Sequence, residues 1–367
     1  MKRKSLYKFL AAAFLSGTIL LPGCSAGVSN SSNLTDETSQ TTAPTTSEAV
    51  ETVSETTEEP AQIKEGTSVQ ARIDSECIAK NKLGDSSTRS LYIYLPPSYD
   101  EGEKNYPVVY FLHGLGDSSS AFIQTIKEGL DKSFNEGSKE FIFVVLDGNI
   151  MSGGSFYVNS PSTGDWEDFV SEEVVGYMDS NYRTIADRES RCISGFSMGG
   201  YGAVNAALNR SDVFSSLLVF CPGVYADGDI KSMWDSWNGW EDVKLSYGQA
   251  FSPNDDPDKK FGNIPEISGT EEDNAIVAQW DSGYGNWEKK IKDFAQNGTP
   301  LKGIQINYGS LDPFSWIPGG CEFFSEKLNE NGIENELAKI NMGHIVPPDC
   351  IPAYFVPFCE ENFKFED

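Results

Sequence analysis

Short apolar runs alternate with longer amphipathic stretches over most of the chain. Runs at about 89–95, 107–112, 141–146, 191–196, 215–221, 303–308 and 335–340 are six or seven residues long, rich in Val, Ile, Phe, Tyr and Leu, and bounded by turn residues. That is the signature of buried strands. Between them, helical periodicity appears near 119–134, 167–180, 198–209 and 319–331. Strand and helix alternating in this way predict a mainly parallel sheet covered by helices on both faces, an α/β fold. About 300 residues carry the pattern, which suits one domain, and no internal repeat interrupts it.

Three segments depart from the alternation. The chain opens with Lys2, Arg3, Lys4 and Lys8 and then an apolar run from Phe9 to Leu21. This is the layout of a signal peptide and is too short for a stable membrane span. The run ends in Leu21-Pro22-Gly23-Cys24, which resembles a bacterial lipobox. We therefore expect residues 1–23 to be a lipoprotein signal and Cys24 to carry a lipid. A plain secretory signal beside an incidental cysteine is the competing reading. Residues 24–66 are Ser, Thr, Glu, Pro and Ala with almost no large apolar side chain. Such a segment cannot bury enough surface to offset the entropy of ordering, so it reads as a tether holding residues 67–367 at the extracellular face of the membrane. The third departure, about 225–300, is longer than a crossover needs. It holds Trp234, Trp237, Trp240, Trp280 and Trp287 among Gly, Asn and Asp. We expect a cap inserted over the site, its tryptophans either packed as a small core or free to stack on a ligand.

Composition narrows the partners. A formal net charge of −27 argues against nucleic acid, anionic membrane surfaces and polyanionic substrates. Besides Cys24, six cysteines remain: Cys77, Cys192, Cys221, Cys321, Cys350 and Cys359. Their pairing is open, although Cys192 and Cys221 fall in strand-like runs and read as buried thiols. No Cys/His cluster has metal-site spacing, and no phosphate loop or dinucleotide fingerprint is present, so neither a metal nor a cofactor is implied.

The chemistry is concentrated in Gly195-Phe196-Ser197-Met198-Gly199-Gly200. A strand-like run precedes this Gly-x-Ser-x-Gly sequence and a helical one follows it. A serine there sits on a turn too tight for flanking side chains and projects from the top of the sheet. On the pentapeptide alone, a Gly/Ser-rich turn is the bland alternative. An activated serine needs a base that titrates near neutrality, and the chain has two histidines, His113 and His344. In a Ser–acid–His chain order only His344 follows the serine. The acid should come from a loop at the end of a strand, as Asp312 does after Ile304-Gln305-Ile306-Asn307-Tyr308. Asp281 and Asp256 are the alternatives. His113-Gly114-Leu115-Gly116 follows another buried-type strand, and we expect the Leu115 and Met198 N–H groups to face a developing oxyanion.

Together with Tyr94-Leu95-Pro96-Pro97-Ser98-Tyr99, Ser155-Phe156-Tyr157, and Trp166-Glu167-Asp168-Phe169-Val170 through Asn181-Tyr182-Arg183-Thr184, these elements resemble an esterase family of the α/β-hydrolases. That family includes feruloyl and acetyl-xylan esterases, tributyrin-type esterases, S-formylglutathione hydrolases and mycolyltransferases. The resemblance covers about Val69 to the C-terminus. It implies an α/β-hydrolase fold with Ser197, Asp312 and His344 as the triad; the long segment before Asp312 departs from it and leaves substrate choice open. The expectation is a lipid-anchored serine esterase working through an acyl-enzyme on an ester linked to carbohydrate. A generic short-chain esterase, acyl transfer to an alcohol, and a non-enzymatic surface-binding lipoprotein on the same scaffold are the alternatives.

Overall fold

The computed structural model describes residues 63–366; the expected signal, Cys24 and nearly all of the expected tether lie outside them. Among the described residues, eight strands form one sheet. They are β1 (Thr67–Asp74), β2 (Thr88–Leu95), β3 (Val108–Leu112), β4 (Ile142–Leu146), β5 (Arg191–Phe196), β6 (Ser216–Phe220), β7 (Gly303–Gly309) and β8 (Glu336–Ile340). The order across the sheet is β1-β2-β4-β3-β5-β6-β7-β8. The β1–β2 and β2–β4 pairs are antiparallel and the remaining pairs are parallel. This is the α/β-hydrolase fold.

Burial explains the strand pattern. Every residue of β3, β4 and β6 is buried, as expected for central strands covered on both faces. The helices α1 (Ser119–Asn135), α2 (Val175–Asn181), α3 (Met198–Asn209), α8 (Trp316–Glu330) and α9 (Val356–Asn362) belong to the main layers. Between β6 and β7 lie α4 (Ile230–Ser236), α5 (Glu241–Phe251), α6 (Glu271–Gly283) and α7 (Trp287–Asn297).

These four helices are the inserted segment, and its aromatics are mainly its core. Trp280 and Trp287 are fully buried and Trp234 nearly so. Trp280 stacks on Tyr247 at 5.5 Å, and its Nε1–H donates to Ser252 Oγ at 2.6 Å. Trp237 and Trp240 are only partly buried. All six cysteines of the described residues are unpaired thiols, with Cys192 and Cys221 buried as expected. Among the features that went unread in the sequence are the strand β1, the helix α9 and the short hairpin that pairs Asn149–Ile150 with Gly153–Gly154.

Candidate active site

The strand β5 ends at Phe196 and α3 begins at Met198, so one residue makes the whole turn. That residue, Ser197, has φ 54° and ψ −116°. A non-glycine residue held at positive φ costs about 1–3 kcal/mol unless its surroundings over-determine it. Here they do. The Ser197 N–H donates to the Phe220 carbonyl at 3.1 Å, and the Ser197 carbonyl accepts from Tyr201 N–H and Gly223 N–H, each at 2.9 Å. The glycines are needed because the turn presses backbone on backbone. A Cβ on Gly195 would overlap the Gly199 carbonyl, and one on Gly200 would stand 2.7 Å from Pro222 Cα. The first turn of α3 leaves free N–H groups and a partial positive charge beside the serine hydroxyl.

The loops after β7 and β8 bring the other two groups. They are held together by Ser310 N–H to the Ile340 carbonyl at 2.8 Å and Leu311 N–H to the Met342 carbonyl at 3.0 Å. Asp312 comes from the first loop and His344 from the second. The Ser197 hydroxyl is 2.8 Å from His344 Nε2, and His344 Nδ1 is 2.7 Å from Asp312 Oδ2. The other carboxylate oxygen, Oδ1, accepts from Phe314 N–H at 2.9 Å. The Asp312 side chain is completely buried, whereas His344 keeps 10% of its surface open. The imidazole is held between Phe196 and Phe314, with ring centroids 4.8 and 5.0 Å away. A serine hydroxyl in line with an imidazole and a buried carboxylate can pass its proton to the ring as it attacks an electrophilic carbon.

The two other acids weighed from the sequence are engaged elsewhere. Asp281 accepts from the Tyr225 hydroxyl at 2.8 Å, and Asp256 caps a short turn through Asp258 N–H at 2.9 Å.

Leu115, from the loop after β3, and Met198, the first residue of α3, come together. Both side chains close on Gly154 of the short hairpin. A Cβ there would overlap Met198 Sδ and lie 2.7 Å from Leu115 Cδ1. Asp117 lies beneath the Leu115 loop, its Oδ2 accepting from Gly114 N–H at 3.1 Å. Burial raises its carboxyl above the usual range.

Sequence reasoning missed the part that three neighbours play at the site. Phe314 covers the imidazole and continues into Trp237 at 5.0 Å, forming an aromatic wall. An aromatic two residues past a candidate acid is a signal too weak to find alone. Cys221, at φ 42°, places its Sγ, the Asp312 carboxylate and His344 within 4.8 Å of one another. Burial and the Asp312 carboxylate push its thiol up to about 12. Such a trio has donors for a cation, but His344 Nδ1 and Asp312 Oδ2 are already joined to each other. Last, Ser155-Phe156-Tyr157 is a wedge, with Phe156 and Tyr157 at φ 56° and 54°. A Cβ on Gly148 would overlap the Tyr157 ring, so only glycine lets that ring in.

Comparisons with known proteins identify the family and the fold. The Esterase family model, described as "Putative esterase", matches residues 85–276, more than half of the chain. An esterase of Mycobacterium tuberculosis is 31% identical over 273 residues, covering 70% of this chain and 52% of the relative. An endo-1,4-beta-xylanase/feruloyl esterase of Xylanibacter ruminicola is 30% identical over 148 residues, covering 38% of this chain and 20% of the relative. The chain thus spans about half the length, or less, of these curated relatives. Among solved structures, a ferulic acid esterase aligns over 82% of this chain and 99% of its own, with a TM-score of 0.57 and 20% identity. The ferulic acid esterase of Anaeromyces mucronatus aligns over 83% and 94%, with a TM-score of 0.52 and 19% identity. At such identities the solved structures speak for the fold, while the family match extends over most of the residues that build the sheet and the serine turn. The chain belongs to the Esterase family.

Proposed function

We propose that this chain is a secreted, lipid-anchored serine esterase that cleaves carboxylic esters through an acyl-enzyme. Its substrates are acetyl or feruloyl esters on plant cell-wall carbohydrate. The observation that carries the reading is the continuous line from the Ser197 hydroxyl through His344 to Asp312, at 2.8 and 2.7 Å.

In this mechanism Ser197 Oγ attacks the ester carbonyl while its proton moves to His344 Nε2. Asp312 accepts from Nδ1–H and stabilises the imidazolium. The carbonyl oxygen becomes an oxyanion, held by the N–H groups of Leu115 and Met198. Collapse of the tetrahedral intermediate breaks the bond to the alcohol oxygen, which takes the proton from Nε2. Water then gives a proton to His344, attacks the acyl-enzyme, and releases the acid with Ser197 restored.

Two observations support the choice of ester. One relative is named a feruloyl esterase, and the Phe314–Trp237 wall beside the imidazole offers flat faces on which a phenolic acyl group or a sugar ring can stack. The lipid on Cys24 and the tether are part of the reading because they would display the enzyme toward polymers too large to import. Comparing kcat/KM for p-nitrophenyl acetate, p-nitrophenyl palmitate, methyl ferulate and acetylated xylo-oligosaccharide tests the substrate class. Preference for palmitate would overturn it. Turnover of acetate with neither carbohydrate-type ester would leave a generic short-chain esterase. For the anchor, Cys24→Ala should move the protein from the membrane fraction to the medium, and unmodified soluble wild-type protein would refute it.

A further inference from the structure

His113 is 1% exposed and makes no contact with the proton line, yet both of its ring nitrogens are engaged. Nε2 is 3.0 Å from Gly148 N, and Nδ1 is 2.7 Å from the Gly114 carbonyl oxygen. A backbone amide can only donate and a carbonyl can only accept. These two partners therefore fix one neutral tautomer, with the proton on Nδ1 and the lone pair on Nε2. The nearby Asp147 carboxylate, 3.6 Å from Nε2, is farther away than the Gly148 amide.

The bond from Nδ1 falls on the peptide unit whose other end is the Leu115 N–H. That peptide is trans and planar, so its carbonyl and its N–H point in opposite directions. The Gly114 carbonyl is turned toward the buried ring and also accepts from Asp117 N–H at 3.1 Å. The Leu115 N–H is thereby turned the other way. The Leu115 and Met198 side chains meet at Gly154, and Gly199 sits against the Leu112 and His113 carbonyls, so this loop lies beside the serine turn. Gly114 has no side chain to bias its own rotation, so the orientation of this peptide rests on the bonds from the ring and from Asp117.

We propose that His113 is a positioning residue for the oxyanion site, its Nδ1–H holding the Gly114–Leu115 peptide in the orientation that presents the Leu115 N–H. The proposal rests on the esterase reading above.

Side-chain geometry supplies the test. An asparagine amide nitrogen sits where Nδ1 sits, two bonds from Cβ, whereas a glutamine amide nitrogen reaches the place of Nε2. Since loss of an oxyanion donor costs about 10²–10³ in kcat, His113→Gln and His113→Ala should lose at least about 10-fold in kcat on p-nitrophenyl acetate with KM nearly unchanged. His113→Asn should recover most of that loss. Affinity for a trifluoromethyl ketone, which forms an oxyanion on the serine, should fall in parallel with kcat. Equal loss in all three variants, or a loss confined to KM, would overturn the proposal. If the variants do not fold, ¹⁵N spectra of histidine-labelled wild-type protein decide the matter, because two histidines give two ring systems. A neutral ring protonated on Nδ1, distinct from His344, is expected at pH 8; a ring protonated on Nε2 would refute the tautomer on which the proposal stands. Failure of the wild-type protein to cleave any ester or to react with a fluorophosphonate would instead defeat the esterase reading.

Discussion

Gly199 lies so close beneath Leu112 that a methyl group on its Cα would overlap the Leu112 carbonyl and stand 2.6 Å from the His113 carbonyl oxygen. The first turn of α3 is thus pressed against the end of β3, and the Ser197 turn and the Leu115 loop are held at fixed separation. Gly199→Ala must push backbone apart in a region with no flexible side chain to yield. It should cost about 1–3 kcal/mol of stability, the range for overpacking a core. Activity should fall by more than that loss explains, because the two loops separate. Thermal unfolding and kcat measured on the same preparation check both.

The strain at Ser197 yields a separate expectation. Its φ of 54° suits glycine, so Ser197→Gly should be inactive yet more stable than wild type by about 1 kcal/mol. Ser197→Ala should be equally inactive without that gain. Fluorophosphonate labelling should appear on Ser197 of the wild type and vanish in both variants; labelling of another serine would refute the assignment.

Asp312 supplies one oxygen to His344 and the other to Phe314 N–H. Asp312→Asn keeps the shape but offers an amide where an acceptor is needed, favouring the wrong imidazole tautomer. By analogy with serine triads kcat should fall by about 10⁴. Asp281→Asn, which touches Tyr225 and not His344, should stay near wild type.

Burial pushes the thiols of Cys77, Cys221 and Cys350 up to about 12 from an ordinary value of 9.0, and raises those of Cys192, Cys321 and Cys359 as well. Native protein should therefore resist iodoacetamide at pH 8, and its activity should survive the reagent. The same shifts link pH to stability. Between pH 9 and about 12 the unfolded chain gives up thiol protons that the folded chain keeps, so their contribution is present below 9 and declines as pH rises through that window. Denaturant unfolding at pH 8 and pH 10, compared with a Cys350→Ala variant, isolates the effect; thiols that react fully in the native state would contradict it.

Much of this architecture was legible because buried parallel strands have little choice but to be apolar throughout. Runs such as Val108–Leu112 and Ile142–Leu146 carry that signal. The strand β1 does not. Its sequence TSVQARID buries only Ala71, and pairing with β2 makes it a strand where its own residues do not. Asp312 stood out because it follows a strand end by a short turn. The two bonds of the His113 ring were unreadable because one partner, Gly148, arrives from a different strand end, and nothing local announces it.

The strand β8 ends the sheet and is paired on one side only, to β7. None of its five residues is buried, and His344 follows four residues beyond it. The proposed catalytic base is therefore borne by the least-anchored parallel strand of the sheet, while the nucleophile rises from its centre. Opening of this margin needs far less free energy than loss of the whole fold. In rising denaturant, esterase turnover should disappear while far-ultraviolet circular dichroism is still native. Durability of the catalyst and durability of the fold would then be separate quantities, and reinforcing the β7–β8 edge would raise the first while leaving the second nearly unchanged.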